Sequence, residues 1–114
     1  MAIRYPVYQP FMQGNEKKYV LDCLETNWIS SKGSDIKEFE KQFAEYTGTD
    51  YATTVCNGTA AVALALLTLG IGPGDEVIVP TLVYVAVPNM VLMSGATPVF
   101  TDSLPGTLQM DPQD

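Results

Sequence analysis

The sequence contains no histidine at all. That removes Ser-His-Asp and Cys-His catalysis and every histidine-bearing metal site, and no metal ligand set or catalytic group is expected. Cysteine is scarce: Cys23 and Cys56 stand far apart, without CxxC spacing. With no apolar signal stretch in Met1-Ala2-Ile3-Arg4-Tyr5-Pro6 they read as free thiols of a cytoplasmic protein. Positive charge is short as well. Six basic residues face thirteen acidic ones, for a net charge of −7 over 114 residues. A partner held by phosphate-backbone neutralisation, such as nucleic acid, is therefore not expected.

No lysine or arginine follows Lys41, and between Asp50 and Asp102 the only charges are Asp75 and Glu76. Two uncharged runs result, 51–74 and 77–101, each of membrane-spanning length. The first is broken by Asn57, Gly58, Gly70, Gly72 and Pro73, and the second by Pro80, Pro88, Asn89, Gly95 and Pro98. Neither offers ~20 uninterrupted apolar residues or a basic flank, so no membrane span is expected.

What is present is organised in two parts. Residues 1–50 read as a polar helical segment behind an entry arm bearing Pro6 and Pro10. Tyr19, Val20, Cys23 and Leu24 make one apolar stripe on a helix ending near Asn27. Ser34 suits an N-cap, Ile36, Phe39, Phe43 and Tyr46 repeat at helical spacing, and Thr47-Gly48 closes that helix. From Asp50 the pattern changes. Tyr51–Cys56 reads as a strand, Ala60–Leu69 as an apolar helix, and Glu76–Val79 as a strand stopped by Pro80. Proline belongs in a helix's first turn, so the next helix is expected near Val87, with 81–86 as a loop. Thr97–Thr101 is a third strand. Apolar strands alternating with helices indicate an α/β fold with a parallel sheet covered on both faces. The polar ending after three strands reads as the front of a longer protein.

Ligands of such sheets gather outside the carboxyl ends of the strands. Asn57-Gly58-Thr59-Ala60 lies there, where a glycine, the free amides of a helix's first turn and a hydroxyl suit a phosphate. The same tetrad is also an ordinary helix cap, and composition alone leaves both readings open. Tyr84 is placed to stack on a planar heterocycle or to pack under its loop. Asp102 is a ligand contact or a solvated loop aspartate, and Trp28 a substrate wall or a core plug. Cys56 reads as buried filler, since no neighbouring base or cation activates it.

Several stretches resemble a known family. Glu25-Thr26-Asn27-Trp28-Ile29-Ser30-Ser31-Lys32-Gly33, Phe39-Glu40 and Phe43-Ala44-Glu45-Tyr46-Thr47-Gly48 are similar to the opening of the sugar-nucleotide aminotransferases of the DegT/DnrJ/StrS type. Asn57-Gly58-Thr59-Ala60-Ala61, Gly70 through Pro80, and Gly95-Ala96-Thr97-Pro98-Val99-Phe100 extend the likeness to nearly the whole chain, in perosamine-synthase-like order and spacing. The resemblance implies the start of the large domain of an aspartate-aminotransferase fold in residues 51–114. It implies pyridoxal 5′-phosphate as cofactor, its phosphate held by Gly58, Thr59 and Ala60 and its ring stacked on Tyr84. It places Trp28 and Ser30 toward a nucleotide sugar, with an amino acid, glutamate, as donor and a homodimer as the family's assembly. The family's usual threonine-alanine after the aromatic loop is Val87-Pro88 here. The family's cofactor-carrying lysine lies in the second half of its large domain, and Lys17, Lys18, Lys32, Lys37 and Lys41 match no such motif. The chain is therefore expected to be inactive alone. The alternative is a truncated binding module that holds a phosphate-bearing ligand or pairs with a full-length relative.

Overall fold

A computed structural model describes residues 8–114. Pro6 and the rest of the leading segment lie outside the described residues, while Pro10 carries no regular structure. The element order is α1 (Glu16–Glu25), α2 (Ser34–Thr47), α3 (Gly58–Thr68), β1 (Glu76–Pro80), α4 (Ala86–Met93) and β2 (Thr97–Thr101). The chain clusters into two units, one up to Ala52 and one from Thr53 onward.

In the first unit, α2 starts at Ser34 with Gly33 as N-cap and no side-chain capping bond, so Ser34 is a first-turn residue and not the expected cap. Gly48 ends the helix at φ +70, a left-handed backbone that glycine adopts without a Cβ penalty. Phe39 and Phe43, one turn apart, stack with centroids 5.7 Å apart. The apolar stripe on α1 is not buried: Tyr19, Val20 and Leu24 are exposed and Cys23 is half-buried.

The second unit is built on β1 and β2, which pair in parallel from Glu76↔Thr97 to Pro80↔Thr101. Parallel strands need a crossover, and α4 supplies it. Leu66 of α3, Val79 of β1, Val91 of α4 and Ala96 before β2 form the core, with Val62, Ile71, Val77, Val87 and Met90 packed against it. Fully burying a valine such as Val79 or Val91 contributes roughly 1.5–3 kcal/mol, so these few side chains dominate the unit's cohesion. Pro88 is the third residue of α4, where its missing N–H has no intrahelical partner to lose. The helix consequently begins at Ala86, one residue before the expected start.

One expected element is absent. Tyr51–Cys56 runs into α3 without ladder pairing to β1 or β2, Tyr51 is 90% exposed, and Cys56, expected to be buried, is exposed because no strand packs over it. A strand is defined by its neighbour; β-branched composition favours an extended backbone but cannot provide the pairing.

Candidate functional site

The turns on one side of the strands fix the polarity of the second unit. Gly95, at φ +88, follows α4 and sits so close to the turn after α3 that a Cβ there would lie 2.9 Å from Pro73 Cγ. Nearby, the Thr97 amide donates to the Asp75 carbonyl at 2.9 Å, and the Gly72 amide donates to Asp75 Oδ2 at 2.8 Å. The carboxyl ends of α3 and α4 are thereby gathered at the amino ends of β1 and β2. Their amino ends lie toward the carboxyl ends of the strands, the side where ligands of such sheets collect.

The start of α3 is the part of that edge fitted for an anion. Asn57, in extended conformation, caps the helix: Asn57 Oδ1 accepts from the Ala60 amide at 2.9 Å, and its carbonyl accepts from the Ala61 amide at 3.1 Å. The Gly58 and Thr59 amides precede any intrahelical acceptor, and the dipole of an 11-residue helix adds partial positive charge there. No acidic side chain lies in the first turn, and a Cβ built at Gly58 meets nothing within 4 Å. The approach is open, and its donors suit a phosphate.

The other described helices start differently. Glu16 stands in the first turn of α1 and accepts from the Gly14 amide at 2.8 Å; Asp35 stands in the first turn of α2. In α4 the Val87 amide donates to the Tyr84 carbonyl at 3.0 Å, and Pro88 has no amide to offer.

Of the expected site residues, Gly58, Thr59 and Ala60 form the first turn of α3, but the Ala60 amide is already used by the cap. Tyr84 lies on the loop between β1 and α4 and is 78% exposed. Trp28 and Ser30 belong to the other unit. They line a hollow of about 270 Å³ with Asp22, Cys23, Thr26 and Ile29. Trp28 is 55% exposed, and Ser30 Oγ accepts from the Lys32 amide at 3.3 Å. In the same hollow the Cys23 thiol donates to Asp35 Oδ2 at 3.4 Å, and this bond, followed by desolvation and the charges of Asp35 and Asp22, raises its pKa.

Asp102 acts within the fold. Its Oδ1 accepts from the Thr81 hydroxyl at 3.2 Å, its amide donates to Asp114 Oδ2 at 2.6 Å, and its carbonyl accepts from the Asp111 amide. Sequence reasoning missed Thr81 as its partner, although the signal was there: both residues directly follow β1 and β2, which end in register.

Residues 10–114 match the model of the DegT/DnrJ/EryC1/StrS aminotransferase family. The chain is 58% identical over 109 residues to the GDP-perosamine synthase of Escherichia coli, covering 96% of this chain and 30% of that protein. Among solved structures, the aminotransferase from Psychrobacter cryohalolentis superposes with TM-score 0.84 at 37% identity, over 91% of this chain and 27% of that one. The Escherichia coli GDP-4-keto-6-deoxy-D-mannose-3-dehydratase with bound hydrated PLP gives TM-score 0.82 at 27% identity, over 97% and 30%. The chain thus spans about 30% of the length of the curated relatives it matches.

Proposed function

This chain belongs to the DegT/DnrJ/EryC1/StrS aminotransferase family, and we propose that it supplies the amino-terminal, phosphate-holding part of an enzyme that moves an amino group from glutamate to the keto group of a nucleotide-linked sugar. The start of α3 carries this reading, because it combines open space at Gly58, two amides without intrahelical acceptors and no neighbouring carboxylate in its first turn.

Pyridoxal phosphate, when bound, supplies an aldehyde and an electron-withdrawing ring through which an amino group changes carrier. The residues of this chain bind and orient. The Gly58 and Thr59 amides and the Thr59 hydroxyl hold the phosphate, and Ala60 keeps the turn in register through its bond to Asn57. Tyr84 covers one face of the ring. Its 78% exposure leaves that surface available at an offset-stacking geometry worth about 0.5–1.5 kcal/mol. Trp28 and Ser30 face the sugar nucleotide, a proposal supported by the hollow they share. The working assembly is a homodimer in the cytoplasm.

Reduction with borohydride after adding pyridoxal phosphate to the purified chain tests the reading. Labelling scattered over Lys17, Lys18, Lys32, Lys37 and Lys41, without glutamate-dependent turnover, is the expected result. A single stoichiometric adduct accompanied by turnover would show that these 114 residues hold a complete reaction centre.

A further inference from the structure

We propose that Asp102, acting through the Thr81 hydroxyl, is a positioning residue that holds the loop bearing Tyr84 where its ring can cover a ligand's heterocycle. The inference rests on the ring-covering role proposed for Tyr84 above, and adds to it a support that touches no ligand.

Thr81 is the first residue after β1, and it is fastened to the end of β2 through two atoms. Its amide donates to the Thr101 carbonyl at 2.8 Å, and its hydroxyl donates to Asp102 Oδ1 at 3.2 Å. An ionised carboxylate only accepts, so the direction of the second bond is fixed. Threonine is stiff at χ1, and a tie to its hydroxyl is therefore a tie to the backbone from which the loop departs. Asp102 is itself held. Its amide donates to Asp114 Oδ2 at 2.6 Å, its carbonyl accepts from the Asp111 amide at 2.9 Å, and the next residue, Ser103, pairs with Met110 in an antiparallel bridge. The far end of the loop is fixed to the start of α4, where the Val87 amide donates to the Tyr84 carbonyl at 3.0 Å. Only Leu82 and Val83 lie between these anchors. Leu82, Val83 and Tyr84 are all exposed, so burial contributes little to the course of the loop and the polar anchors at its ends set it.

Pyridoxine 5′-phosphate is the suitable probe, because it lacks the aldehyde that labels surface lysines, and inorganic phosphate is its companion. The ratio of their affinities, from equilibrium dialysis on the full chain, isolates what the ring adds and cancels the effect of a changed charge. Tyr84→Ala should lower that ratio about two- to tenfold. Thr81→Val keeps the branched shape and loses the donor, and should lower the ratio about twofold or more, with the affinity for inorganic phosphate unchanged. Combining Thr81→Val with Tyr84→Ala should lower the ratio no further than Tyr84→Ala alone, a non-additivity that a merely structural role would not produce. Asp102→Ala should behave as Thr81→Val does, and Asp102→Asn, which keeps an acceptor, should restore the ratio. Additive losses, or a Thr81→Val chain whose two affinities fall together, overturn the inference and leave the role of Tyr84 standing. A ratio near one in the unmodified chain, or one that Tyr84→Ala does not change, removes the ring-covering role and the inference with it. If neither probe binds, the phosphate reading falls as well. Should Thr81→Val fail to fold by circular dichroism, the comparison of Asp102→Ala with Asp102→Asn decides.

Discussion

Replacing Gly95 with alanine isolates the contact that holds the second unit's turns together. Gly95 lies at φ +88, where a Cβ costs about 1–2 kcal/mol whatever surrounds it. In addition, the new Cβ would stand 2.9 Å from Pro73 Cγ and 3.1 Å from Pro73 Cδ. A pyrrolidine ring cannot rotate aside as a flexible side chain does, so the backbone of one turn has to move. Overpacking of this kind adds about 1–3 kcal/mol. Gly74 is the natural control, at φ +96 with nothing within 4 Å of its built Cβ. Gly74→Ala therefore carries the conformational cost without the collision. Urea denaturation followed by far-ultraviolet circular dichroism should rank Gly95→Ala below Gly74→Ala by at least about 1 kcal/mol, a large fraction of a small unit's stability. Equal losses for the two variants would refute the collision, and with it the claim that this contact holds the unit's turns together.

Gly58→Ala should leave stability within about 1 kcal/mol of the parent, because its Cβ meets nothing, yet weaken phosphate binding more than Tyr84→Ala, measured by dialysis against pyridoxine 5′-phosphate. A larger loss at Tyr84 would move the anchoring role from the turn to the ring. The Cys23 thiol, its pKa raised by the bond to Asp35, holds less thiolate than an unperturbed cysteine at any pH below that pKa, so an alkylating reagent at pH near 8 should react with exposed Cys56 first. Asp35→Asn removes the charge that raises it and should narrow the gap; an unchanged ratio by mass spectrometry would count against the thiol–carboxylate bond.

The legible parts of the fold are those specified by a few neighbouring residues. The span Thr97–Thr101 is a strand as expected, β1 stops at Pro80, and Gly48 adopts the left-handed cap. Local punctuation is sufficient for each of these. Tyr51–Cys56 shows the limit, since its composition specifies an extended chain while strand pairing depends on residues distant in sequence. The stripe of Tyr19, Val20 and Leu24 lies on helix α1 as read, but it is exposed: periodicity says which face is apolar, not what covers it. At the site, the glycine-threonine turn was readable, but the choice between cap and cradle was not. In the structure the cap takes the Ala60 amide, and the Gly58 and Thr59 amides are left without an intrahelical acceptor. Tyr84 was legible as a loop aromatic, but its exposure depends on packing that local sequence does not specify.

The contact at Gly95 and the helix start at Gly58 belong to one mechanical arrangement. Both helices are tied near their carboxyl ends, α4 through Gly95 and α3 through the turn bearing Pro73. From its own turn α3 runs back for 11 residues and α4 for 8, lengths of about 16 and 12 Å at about 1.5 Å per residue. The residues from Thr81 to Val85 span the remaining distance from β1 to α4, and they carry Tyr84. The spacing between the Gly58 turn and the Tyr84 loop therefore depends on how the packed helices α3 and α4 are held against each other. A displacement at the Gly95–Pro73 contact would shift α4 against α3 and change the spacing between the turn proposed to hold a phosphate and the side chain proposed to cover a ring. Side chains that touch no ligand thus set the geometry of those proposed to hold one, and the tight glycine–proline contact is where that geometry is most easily disturbed.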